Sequence, residues 1–175
     1  MMIQDEDCLF FKELIKRKLS SGTRLLGVDR DQDRVRYARE RFKERSEIEI
    51  REGLGWDELK RSLWDAVVMI DVLHYFSDDE LRQLFTLVRA RLKDGGVFIF
   101  RDLDTEFGGV RSVINRTYER VAVGTGFTQG AQVNVKSRRV WSEFTKSQGF
   151  QVSSRPCTRF PFADVLFTAH KRSEK

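Results

Sequence analysis

Asp65-Ala66-Val67-Val68-Met69-Ile70-Asp71 sets an unbroken apolar run between two carboxylates. A run this short, rich in β-branched residues and without alternation, predicts a strand covered on both faces, as in a parallel sheet. Its flanks extend the pattern. Downstream, Ser77-Asp78-Asp79-Glu80 reads as a capping box opening a helix that buries Leu81, Leu84, Phe85, Val88 and Leu92 and ends at Gly95-Gly96. Val97-Phe98-Ile99-Phe100 is then a second all-apolar strand, followed by Arg101-Asp102. Upstream, Arg24-Leu25-Leu26-Gly27-Val28-Asp29 predicts a short buried strand ending on an acid. Asp31 is placed to cap a helix running to about Arg45, with Val35, Ala38 and Phe42 on its apolar face. Ile48 and Ile50 alternate with glutamates in a strand that stops at Gly53-Leu54-Gly55.

The ends of the chain add elements of both kinds. Phe10, Phe11, Leu14 and Ile15 form one stripe of a helix over 9–19. Val110, Val113, Ile114, Thr117 and Val121 form another helical face, followed by a polar loop from Gly124 to Gly130. A helix near 138–148 is expected to bury Val140, Trp141 and Phe144 and to end at Gly149. Phe150 to Ser153 and Val165 to Ala169 close the chain as two strands with no helix between them, hence antiparallel. Strands alternating with helices predict an α/β fold: a doubly wound, Rossmann-like, mostly parallel sheet with an antiparallel C-terminal strand pair. A length of 175 residues suits a single domain over 1–175.

Composition narrows the class. Hydrophobic residues make up 40% and charged residues 34%, as in a globular protein with a heavily charged surface. No apolar run is long enough to span a bilayer, and the acidic start Met1-Met2-Ile3-Gln4-Asp5-Glu6-Asp7 is unlike a signal peptide, so the expected location is cytoplasmic. Cys8 and Cys157 lie far apart with no ligand spacing around them, which argues for reduced thiols and against a metal site. The net charge of +5 is uneven: residues 1–110 carry 20 basic and 23 acidic side chains, residues 111–175 carry 12 and 4. The basic C-terminal third could face an anionic partner, but it holds no dense Lys/Arg block, and the plainer interpretation is a solvated basic face.

In open α/β sheets ligands bind beyond the carboxyl ends of the strands. Those ends carry Asp29-Arg30, Gly53-Leu54, the loop Asp71-Val72-Leu73-His74 and Arg101-Asp102. An acid between a strand end and a helix start can accept both hydroxyls of a ribose; the competing role for Asp29 is a carboxylate favoured by the helix dipole. His74 could serve as a base near neutral pH, or simply as a loop and packing residue. His170, near the tail, is expected to be structural or exposed.

Together, Leu26-Gly27-Val28-Asp29-Arg30-Asp31, the stretch from Asp65 to Phe76 and that from Leu92 to Phe100 resemble the class I S-adenosylmethionine-dependent methyltransferases. Ser147-Gln148-Gly149-Phe150-Gln151-Val152 with the closing strand resembles that family's C-terminal end, so the likeness runs from about Leu25 to Lys171. Pro161-Phe162-Ala163-Asp164-Val165-Leu166 is similar to a bacterial branch associated with lipid-like or aryl-polyene biosynthesis. The resemblance implies S-adenosyl-L-methionine as cofactor and a small-molecule acceptor. It implies that Asp29, with Arg30 beside it, holds the cofactor ribose. Asp71, Val72, Leu73 and His74 would line the methionine and adenine side. The family often follows the glycine of its third strand with an acid that contacts adenine; here Gly53 is followed by Leu54, so that contact is apolar or absent.

One family feature does not match. A first, central strand and a G-x-G-x-G loop should precede the first helix, and the residues before Phe10 hold no glycine and no apolar strand. Only glycine lets a backbone approach the cofactor so closely, so the chain is expected to bind S-adenosylmethionine weakly or not at all. A sheet lacking its first central strand would carry exposed edges able to recruit a second copy. Three functions follow: a small-molecule methyltransferase, truncated or without its cofactor loop; a non-catalytic methyltransferase-fold partner subunit; and, more weakly, a nucleic-acid methyltransferase. No N/D-P-P-Y/F follows the strand ending at Ile70, which argues against nucleic acid as acceptor, and no G-x-G-x-x-G supports a nicotinamide enzyme.

Overall fold

A computed structural model describes residues 22–104, 134–157 and 164–172. The expected helices over 9–19 and 110–121, the loop from Gly124 to Gly130 and Cys8 lie outside the described residues. The chain divides into two compact units, Met1–Glu58 and Leu59–Lys175.

In the first unit, β1 (Leu25–Asp29) and β2 (Ile48–Glu52) pair in parallel, with Leu25 opposite Ile48 and Asp29 opposite Glu52. Between them runs α1 (Gln32–Arg41), capped by the Asp31 carboxylate, which accepts from the amides of Asp33 and Arg34. The helix ends at Arg41, short of the expected Arg45. Phe42, its C-cap residue, still donates to the Ala38 carbonyl and is buried with Val35, so the apolar stripe ends with the last helical hydrogen bond.

The second unit is built on β3 (Trp64–Ile70), β4 (Leu92–Leu103), β5 (Phe150–Pro156) and β6 (Asp164–Lys171), in the spatial order β3-β4-β6-β5. β3 and β4 are parallel; β4/β6 and β5/β6 are antiparallel. The antiparallel C-terminal pair is therefore present, and it joins the sheet through β6. A short helix, α2 (Trp56–Arg61), lies between β2 and β3, where the sequence shows no periodicity long enough to announce one. α3 (Asp78–Arg91) opens with the expected capping box: the Ser77 hydroxyl accepts from the Glu80 amide, and the Glu80 carboxylate accepts from the Ser77 amide.

α3 stops at Arg91, before Gly95-Gly96. Leu92 already has extended backbone, is buried, and pairs with Trp64, so burying its side chain in the sheet displaces the expected glycine stop. Gly96 instead lets two strands approach: a Cβ there would lie 2.9 Å from the Lys93 carbonyl oxygen and 3.1 Å from that of Asp65. Only glycine fits where the two strands converge.

Aromatic rings fill the core of this unit. Phe85 on α3 sits edge-on to Phe98, Phe100, Phe144 and Phe150, with ring centroids 5.0–6.2 Å apart. α4 (Arg138–Ser147) contributes Trp141 and Thr145, both fully buried. Val140, expected in the core, is 39% exposed, because turning Trp141 and Thr145 inward swings position 140 to the flank of the helix. The run on β3 is also less enclosed than predicted: Ala66 is exposed, and Val67 to Ile70 are only partly buried. Among the described residues β3 pairs with β4 alone and β1 with β2 alone, so each strand has one edge without a ladder partner.

Candidate functional site

In the first unit, the turn after β1 forms around Asp29. One carboxylate oxygen accepts from the Asp31 amide at 2.8 Å, and the other lies 3.7 Å from the Arg34 guanidinium. The side chain is 37% exposed. Arg30 points to solvent. The Asp29 carbonyl accepts from the Gly53 amide at 2.8 Å, so the structure brings Asp29 and Gly53 together at the ends of adjacent parallel strands. Gly53 adopts φ +149°, a conformation that favours glycine, and Leu54 next to it is 61% exposed. An open groove beside α1, lined by Gln32, Val35, Arg36, Arg39, Glu40 and Glu52, contains none of the site residues expected from the sequence.

In the second unit, the loop after β3 is held by charged side chains from β4. Asp71 is the one non-glycine residue with positive φ (53°) among the described residues. Its amide donates to the Arg101 carbonyl at 3.0 Å. Its carboxylate takes both a 3.0 Å bond from Arg101 Nε and a second bond from Nη2, a bidentate pairing. Burial pushes the Asp71 carboxyl up, and the hydrogen bonds from Arg101 pull against that shift without cancelling it. Val72 is 39% exposed, while Leu73 is fully buried and presents no side-chain surface.

His74 is 2% exposed and Asp102 is fully buried. His74 Nδ1 lies 2.7 Å from one Asp102 oxygen, and the His74 amide donates to the other at 3.1 Å. The first of these oxygens also accepts from the Leu103 amide at 2.8 Å. Asp102 thus pins both the ring and the backbone of His74, whose ring lies against Tyr75 at 4.1 Å. His170, on β6, is exposed, and Cys157 is a free, exposed thiol.

Two residues here had no sequence signal. The Asn134 amide donates to the His74 carbonyl at 2.7 Å, and its side chain donates to the Phe76 carbonyl and the Asp78 carboxylate. Lys136 donates to Asp78 at 2.6 Å and to the Asn134 side-chain oxygen at 2.8 Å. Both lie more than fifty residues from the loop they fasten, so no local pattern could have marked them.

A family model for the methyltransferase domain matches residues 9–98, just over half of the chain. The chain belongs to the methyltransferase-domain family. This match agrees with the class I methyltransferase resemblance read from the sequence. A search of curated proteins finds no match. Solved structures with this fold include an O-methyltransferase family protein from Burkholderia thailandensis (13% identity, TM-score 0.63, 94% of this chain and 57% of that one). They also include the PH0226 protein from Pyrococcus horikoshii OT3 (23%, 0.61, 93% and 78%). A third is human N-acetylserotonin methyltransferase, solved in complex with SAM (18%, 0.63, 93% and 44%). At these identities the methyltransferase likeness carries the fold alone. The chain spans between 44% and 78% of the length of these three proteins. Among the described residues no helix is long and apolar enough to cross a membrane.

Proposed function

We propose that this methyltransferase-fold chain acts on a small-molecule or lipid-like acceptor, with Asp29 holding the cofactor ribose. The observation that carries this is the Asp29 turn: a carboxylate at the end of a parallel strand, more than a third exposed, with one oxygen held by the Asp31 amide. The donor set suits the cofactor. In the first unit Asp29 supplies acceptor capacity for vicinal hydroxyls and Leu54 an exposed apolar surface for a purine face; the second unit, taken by itself, carries at Asp71 a partly exposed carboxylate suited to a cationic group. When bound, S-adenosylmethionine supplies a methyl group on a sulfonium, and transfer depends chiefly on aligning the acceptor for in-line displacement. Because the His74 ring is enclosed and fixed by Asp102, its role in this reading is to hold the loop that carries Asp71 and Val72.

Close approach to the cofactor's amino-acid end needs glycine-rich backbone, and Gly22 is the single glycine among residues 1–24. The 175-residue chain is therefore expected to bind cofactor weakly. Calorimetric titration with S-adenosylhomocysteine should give a Kd weaker than micromolar, and Asp29→Ala should abolish what binding remains. A micromolar or tighter Kd would overturn the weak-binding expectation; binding unchanged in Asp29→Ala would reduce Asp29 to a turn-forming acid. The second reading, a non-catalytic partner subunit, draws on the edges of β1 and β3 that have no ladder partner among the described residues, and on the exposed Ala66. It predicts a homo-oligomer through those edges, which light scattering would detect.

A further inference from the structure

We propose that Arg101 is a positioning residue, fixing the Asp71 carboxylate at the end of β3 to receive the ammonium group of the cofactor's amino-acid end. Three observations converge. Asp71 is the one described non-glycine residue in the left-handed region, a conformation that costs free energy and persists only where its surroundings impose it. Arg101 imposes it from two directions: its carbonyl accepts from the Asp71 amide, and its guanidinium grips both carboxylate oxygens. A planar fork matched to a planar carboxylate fixes orientation as well as charge, which a lysine ammonium does not.

The pair is also incompletely enclosed. The Asp71 side chain is 39% exposed and that of Arg101 21%, so the carboxylate keeps a face toward solvent while its back is held. The surroundings decide what this face can bind. Asp102 on β4 adds negative charge, His74 adds positive charge when protonated, and Asp164 and Cys157 lie around the guanidinium. Burial already opposes the charged form of Asp71, so without Arg101 the carboxyl would be protonated at a higher pH and could not hold a cation.

The inference rests on the cofactor reading above only for what Asp71 faces; the hold of Arg101 on Asp71 is testable without ligand. Carboxyl 13C NMR of the full chain, with Asp71 assigned by difference from Asp71→Asn, gives its titration midpoint in wild type, Arg101→Met and Arg101→Lys. The midpoint should rise by about one to three pH units in Arg101→Met, with partial restoration in Arg101→Lys. An unchanged midpoint in both variants would overturn the proposal, and if Arg101→Met does not fold, Arg101→Lys decides. A titration with S-adenosylhomocysteine between pH 5.5 and 8, followed by chemical-shift changes, then tests the ligand. In the variants, affinity should fall about tenfold per pH unit below the raised midpoint and recover above it. A pH-independent loss would mean that Arg101 is merely structural and would sink the positioning role. If wild type shows no shift changes at any pH, the cofactor reading fails, while the ligand-free midpoints still decide what Arg101 does to Asp71.

Discussion

The turns at the ends of β1 and β3 each carry an acid, and they are held in opposite ways. Asp29 is fastened by the amide of Asp31, two residues on, and stands 37% exposed. Asp71 and His74 are fastened by Arg101 and Asp102, thirty and twenty-eight residues away, and His74 and Asp102 are buried. A turn closed by its own neighbours can change its side chain without disturbing the fold. A turn closed from the next strand cannot, because the same atoms hold the loop side chains and satisfy the buried backbone.

Substitutions can break this contrast. Asp102→Ala should have the largest effect, destabilising by about 3–5 kcal/mol in a urea melt. It strands three donors at once: His74 Nδ1, the His74 amide and the Leu103 amide. A loss below about 1 kcal/mol would show that the second turn does not depend on its long-range partner. Gly53→Ala comes next, at about 1–3 kcal/mol. A Cβ there would meet only Val28 Cγ1, at 3.9 Å, so the cost is almost wholly the φ of +149°.

Lys136→Met should be milder, below about 1 kcal/mol, since Asp78 is 57% exposed. Its signature is the pH profile. Hydrogen bonds from Lys136, then Asn134, hold the Asp78 carboxyl below its usual range. The stability this contributes is complete above the ordinary aspartate value and lost as pH falls through the depressed one. Wild type should therefore lose more stability than Lys136→Met as the pH drops below about 4. Smallest of all, Asp29→Ala should change the unfolding free energy in a urea melt by no more than about 0.5 kcal/mol, while the proposed function has it abolish the residual cofactor binding. A larger change would place Asp29 with the structural acids and erase the contrast.

The first turn was legible in the sequence because its determinants are adjacent. An acid closing an apolar run, Asp31 at a cap position and Gly53 ending an alternating strand are all local signals. The second turn was legible only in part. The sequence marks Asp71 to His74 as a loop with chemistry in it, and it marks Arg101-Asp102 as the end of the next strand. It could not say that Arg101 takes Asp71 and Asp102 takes His74, since that depends on the register setting Ile70 against Arg101. Asn134 and Lys136 carried no signal at all. The inward turn of Trp141 and Thr145, which left Val140 exposed, was likewise settled by packing around Phe85.

By itself the sequence determined the order of the described strands and the helices that follow Asp31, Ser77 and Ser137, the caps at Asp31 and Ser77, and the acids at the strand ends, because periodicity, capping and turn chemistry act within a few residues. The tertiary structure decided that β4 continues back to Leu92, that β6 joins the sheet between β4 and β5, and that His74 is enclosed. Those outcomes depend on which distant groups share a strand edge or a buried contact, and only the folded chain brings such groups into hydrogen-bonding range.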